Sequence, residues 1–125
     1  MARAILAIAF TLALVTVTYA QAERHSGLWL KQQAESYEKF VAGGNKTGEP
    51  KVAGEAGTFM GFVDGIALSS SGTAFCLPDG TTLDQMYAVV AKWVHNNPEK
   101  WHIQSHLLVS QALTQAFPCT RGQRR

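Results

Sequence analysis

Trp29, Leu30, Ala34, Tyr37, Phe40 and Val41 recur at the three- and four-residue spacing that gathers side chains on one face of a helix. Lys31, Gln32, Glu35, Glu38 and Lys39 fill the opposite face, and Gly43-Gly44 ends the pattern. Glu35 stands one turn before Lys39, the favourable order for an ion pair along a helix. A second helical stretch is expected from about Thr58, with Phe59, Phe62, Val63 and Ile66 on one face. Gly61 and Gly65 lie one turn apart there, which is expected to let a neighbouring backbone approach closely. Asp64 has no evident partner and reads as solvent-facing, and Ser69-Ser70-Ser71-Gly72 closes the stretch as a flexible tip.

Turn chemistry sets the second half of the chain. In Leu77-Pro78-Asp79-Gly80 the proline at the second position and glycine at the fourth fit a type I turn. Thr82-Leu83-Asp84-Gln85 is a capping box, and Leu83, Met86, Tyr87, Val90, Trp93 and Val94 form the apolar stripe that follows it. Asn97-Pro98 closes this third helix. A fourth, from about Trp101 to Phe117, is apolar over more than half its circumference and is placed centrally, with Pro118-Cys119 ending it. No two-residue alternation competes with these patterns, so the fold class is all-α, a small four-helix domain. Between the first two helices, Gly43 to Gly57 holds five of the 11 glycines and a proline, and reads as a long mobile loop.

The first residues change where this domain is expected to work. Arg3, the apolar run Ala4 to Val17 and the small-residue exit Ala20-Gln21-Ala22 form the three parts of a secretory signal peptide. The run falls short of the roughly 20 residues that span a bilayer, so residues 1–22 are expected to be cleaved, leaving a domain over 23–119 and a basic tail over 120–125. Removing them takes away one basic residue and no acidic one, leaving 10 Lys+Arg against 9 Asp+Glu. Such a balance lacks the basic stripe of a nucleic-acid binder, and no later run suits a membrane. Export also puts Cys76 and Cys119, the only 2 cysteines, in an oxidising compartment, where an even count favours a disulfide. The bridge would tie the start of the third helix to the end of the fourth, worth about 4 kcal/mol on the chain-entropy model.

Candidate chemistry is thin. His102 and His106 fall at the spacing that can chelate a metal on one helix, but Ile103 stands where the zincin pattern needs glutamate, and both lie in the apolar arc of the expected fourth helix. Partly buried histidines are therefore expected, and no metal or cofactor is called for. Serines 69 to 71 do not sit in a nucleophile elbow, and a bridged Cys76 cannot attack a substrate. Arg121, Arg124 and Arg125 read as a solvated end.

Four blocks, taken in order, carry a resemblance: GFVDGI at Gly61 to Ile66, FCLPDGTTLDQM at Phe75 to Met86, NNPEKWH at Asn96 to His102, and LLVSQALTQAFPC at Leu107 to Cys119. With them the chain resembles the Rap/Tai family, small periplasmic immunity proteins of bacterial type VI secretion systems. The chain departs from that pattern in lacking a further cysteine pair, since neither Leu28 to Val41 nor Phe59-Met60 contains one. The resemblance implies an all-helical, non-enzymatic protein of the periplasm that binds a peptidoglycan amidase effector and occludes its active site. It also leaves a homodimer open. The inhibitory surface is expected on a loop: Ser69, Ser70, Ser71, Gly72 and Thr73, or else the Gly43 to Gly57 segment. The competing expectations are a general envelope binding or chaperone-like module with no amidase partner and, less well supported, a metal-dependent hydrolase using His102 and His106.

Overall fold

A computed structural model describes residues 25–46 and 48–123; the signal-peptide reading and the last two arginines lie outside the described residues. Four helices follow one another: α1 (Gly27–Ala42), α2 (Pro50–Ser70), α3 (Leu83–Asn96) and α4 (Ser105–Ala116), with a 3-10 turn over Pro98–Lys100. Among the described residues there is no strand, only isolated bridges pairing Ser26 with Gln104 and Ser71 with Phe75. The protein is thus all-α, four helices with one disulfide.

Each helix start has a local cause. Ser26 caps α1, its hydroxyl accepting the Trp29 N–H at 3.1 Å. Pro50 occupies the first turn of α2, where a missing N–H costs nothing. Thr82 and Gln85 form the capping box of α3 in both directions, at 3.2 and 2.9 Å, and Asp84 adds its charge to the positive end of that helix. The start of α4 is held from outside: Ser105 N–H donates to the His25 carbonyl at 2.6 Å, and Gly27 N–H to that of Ile103 at 2.7 Å. The entrance to α1 and the entrance to α4 are therefore pinned together.

The core runs between all four helices. Leu30, Ala34 and Tyr37 of α1 meet Ala56, Phe59 and Val63 of α2, while Met86, Tyr87, Val90 and Val94 of α3 and Leu108, Val109, Ala112 and Leu113 of α4 complete it. Tyr37 is the hub of the aromatic packing, stacked on Phe59 at 5.2 Å and edge-on to Tyr87 at 5.7 Å. Ser36 donates to Glu55 at 2.6 Å and so fixes the register of α1 on α2. No described helix is long and apolar enough to cross a membrane.

Several expectations are corrected. The Gly43 to Gly57 loop is short, because α2 already begins at Pro50 and two of the supposed loop glycines are helical. Glu35 pairs with Lys31 at 2.6 Å, one turn before it, where Lys39 was expected. The turn before α3 closes one residue late, with Thr81 N–H donating to the Pro78 carbonyl at 3.1 Å. Gly80 then takes φ +86°, as the third residue of a type II turn requires. The fourth helix begins at Ser105, not Trp101, and buries only one face, through Ser105, Leu108, Val109, Ala112 and Leu113. Gly61 and Gly65 are exposed, and a Cβ added at either would meet nothing within 4 Å, so they admit no close neighbour within the described chain.

Close approach is needed instead at Gly27. A Cβ there would lie 2.8 Å from Cα and 2.9 Å from the carbonyl oxygen of Trp101, and would also strike Leu108. Backbone cannot yield as a flexible side chain can, so Gly27→Ala should destabilise by roughly 1–3 kcal/mol. An unchanged urea midpoint for that variant would contradict the packing of α1 against the turn before α4.

Candidate functional site

The Ser69 to Thr73 segment is a built turn. Ser71 N–H donates to Ala67 to close α2, Gly72 N–H donates to the Phe75 carbonyl at 2.7 Å, and Ala74 N–H returns to Ser70 at 3.0 Å. Thr73 adds its hydroxyl to the same Ser70 carbonyl at 2.9 Å, and Gly72 takes φ +85°, a conformation side chains resist. Phe75 and Cys76 behind it are buried. Cys76 bonds to Cys119 and donates its N–H to the Phe117 carbonyl at 2.9 Å, while Thr114 donates to Ala74 at 3.3 Å. The disulfide therefore seats the tip on the end of α4 and leaves Ser69, Ser71 and Thr73 exposed.

Beside the tip opens a cavity of about 630 Å³ between the end of α2 and the start of α3. Ser71 and Gly72 form its rim on one side, Leu68 and Leu83 stand exposed over its mouth, and buried Met86 lies in its wall. Leu83 was expected to point into the core as part of the α3 stripe. As the first residue of α3 it lies ahead of the turn that reaches α2, and it is 56% exposed.

Asp64 also lines this cavity, and the solvent-facing expectation for it is corrected. It is half-buried and accepts the Tyr87 hydroxyl proton between its two oxygens, at 2.9 and 2.8 Å. Burial, and then the Asp64 carboxylate, push the Tyr87 phenol up to about 12. The Tyr37 phenol is likewise raised, by burial and by Asp84 and Glu38. Because the folded value lies above the ordinary value of 10, the neutral phenol's stabilisation is complete below pH 10 and fades as the pH climbs toward 12. Two units correspond to roughly 2–3 kcal/mol. Unfolding free energy should therefore fall over that window, and Tyr87→Phe should flatten most of the fall. A slope as steep in Tyr87→Phe as in the parent would remove the buried Tyr87 phenol as its cause.

His102 and His106 are not on one helix face. His102 lies in the turn ahead of α4, His106 is its second residue, and both are exposed rather than partly buried. No group of three metal-ligating side chains forms among the described residues. The other loop candidate survives as a short bend, with Gly44 and Asn45 at φ +72° and +60°. Sequence reasoning missed the groove, because neither Leu68 nor Leu83 signals exposure and Asp64 meets its partner only across α2 and α3.

Among the described residues, one disulfide staples the helical domain, which presents a built tip beside an apolar opening. The chain is a member of the Rap1a immunity protein family, whose model matches residues 26–119, from the cap of α1 to the second half-cystine. Family membership makes a cognate secreted effector the class of partner. Comparison with curated proteins and with solved structures gives no match.

Proposed function

We propose that the chain is a periplasmic immunity protein that binds a type VI secretion peptidoglycan amidase effector and blocks its active site by occlusion, without turnover. The observation that carries this reading is the match of residues 26–119 to the Rap1a immunity family. The tip from Ser69 to Thr73 is the inhibitory element in this proposal. It projects exposed hydroxyls from a turn held by Phe75 and the disulfide, so little conformational entropy is lost on insertion into a cleft. Residues 1–22 serve as the export signal, 23–119 as the immunity domain and 120–125 as a basic tail. A homodimer is included in this proposal as a second way the chain assembles.

The test is capture of candidate type VI amidases by the mature, oxidised protein, followed by assay of peptidoglycan cleavage. Capture with loss of cleavage supports the reading. Thr73→Arg, at an exposed position, should weaken inhibition strongly while lowering the melting temperature only slightly, through loss of the exposed bond to Ser70. No amidase bound by folded, oxidised protein would defeat it. The exposed Leu68 and Leu83 favour a second reading, a general envelope binding or chaperone-like module with no amidase partner. That module would hold unrelated unfolded chains with similar affinity.

A further inference from the structure

Leu68 is 87% exposed and Leu83 56% exposed, and both edge the same opening, with Leu77 and Met86 in its walls. Single exposed leucines are ordinary, but several around one concavity mark a surface that gains by being covered. Asp64 lines that concavity. A carboxylate offers about four acceptor sites, and the one proton of Tyr87 uses a single share of them. Ion pairs among the described residues join Lys31 to Glu35, Lys51 to Glu55 and His95 to Glu38, so Asp64 has no cation beside it there. Asp84, next to Leu83 in the first turn of α3, adds a second negative charge that acts on Tyr87, the partner of Asp64.

An apolar wall with a carboxylate that no described cation pairs selects a ligand having an apolar stem and a positive head. Arginine and lysine are built that way, laying their methylenes on apolar surface and carrying the charge beyond it. Guanidinium has the further advantage of bonding a carboxylate through two N–H groups at once. We propose that the groove receives an arginine or lysine side chain from a protein partner, with a neighbouring aliphatic residue covering Leu68 and Leu83. As a contact to the effector this rests on the immunity reading; the recognition chemistry belongs to the groove alone.

The mature protein is titrated with acetylated pentapeptides Gly-Leu-Arg-Leu-Gly and the Gln and Glu counterparts, while the methyl signals of Leu68, Leu83 and Met86 are followed by NMR. The Arg peptide is expected to shift these signals saturably, with affinity about tenfold above the Gln peptide, as a charge-assisted bond gives. The Glu peptide should not bind. Asp64→Asn keeps an oxygen for Tyr87 but should erase the preference for Arg. Leu68→Gln, at an exposed position, should weaken the Arg and Gln peptides alike with circular dichroism unchanged. Equal affinity for Arg and Gln peptides, or an Arg preference that survives in Asp64→Asn, would overturn the assignment. A wild-type dimer that Leu68→Gln dissociates would overturn it too, giving the groove to a second copy. Equal capture of an amidase by the parent and both variants would remove the groove from effector binding and leave the immunity reading intact. A preserved Arg preference with no amidase captured would do the reverse.

Discussion

Replacing both Cys76 and Cys119 by serine is expected to lower the unfolding free energy by about 2–4 kcal/mol, a large share of what a domain of this size holds. The bridge spans 43 positions, so breaking it releases a long closed loop in the unfolded chain. In the folded state it joins the buried segment ahead of α3 to the end of α4, where the only other described backbone link is Cys76 N–H to the Phe117 carbonyl. A serine at the buried Cys76 also needs a hydrogen-bond partner, which adds to the loss. Urea denaturation of the oxidised, reduced and double-serine proteins would measure it. Coincident curves for oxidised and reduced protein would show that packing of Phe75 and the Cys76–Phe117 and Thr114–Ala74 hydrogen bonds hold this end without the bridge.

Phe59→Ala should cost about 3–5 kcal/mol, the range for removing a fully buried aromatic ring. Phe59 is 0% exposed and lies against Tyr37, which in turn meets Tyr87, so the cavity would open where α1, α2 and α3 converge. At about 4–8 °C per kcal/mol for a domain of this length, the melting temperature should fall by more than about 12 °C. A loss under about 1 kcal/mol would mean that neighbouring side chains collapse into the space, and the aromatic hub would then be incidental.

Where sequence and structure agree, the signal is local. The α1 face as far as Phe40, the Thr82–Gln85 capping box and the α3 stripe from Met86 to Val94 depend on residues within a few positions of one another, whereas Val41, expected on the same α1 face, is exposed at the helix end. The disulfide was legible because two cysteines in a chain read as exported have little alternative. The first half of α2 was obscured by Gly54 and Gly57, which lower helix propensity enough to read as loop. The better guide there was Glu49-Pro50 as a helix start, followed by Lys51 and Glu55 one turn apart, 3.9 Å between their charges. Trp101 and Ile103 prolonged the α4 pattern misleadingly, since their burial comes from the turn: Trp101 donates its indole N–H to the Val94 carbonyl at 2.9 Å. The tip was read as a loop from its serines and its internal bonds are local too, but the Asp64–Tyr87 contact and the groove arise only when α2 meets α3.

The open glycines of α2 have a consequence for how the molecule comes apart. Gly54, Gly57, Gly61 and Gly65 each weaken an isolated helix by about 1 kcal/mol relative to alanine, and none gains a neighbour in return. As a free segment α2 would spend little time helical. Its order is borrowed from α1 through Phe59, Val63 and the Ser36–Glu55 bond. Amide protons across both helices should therefore exchange with solvent as one cooperative block, without a stage in which α1 has left and α2 persists.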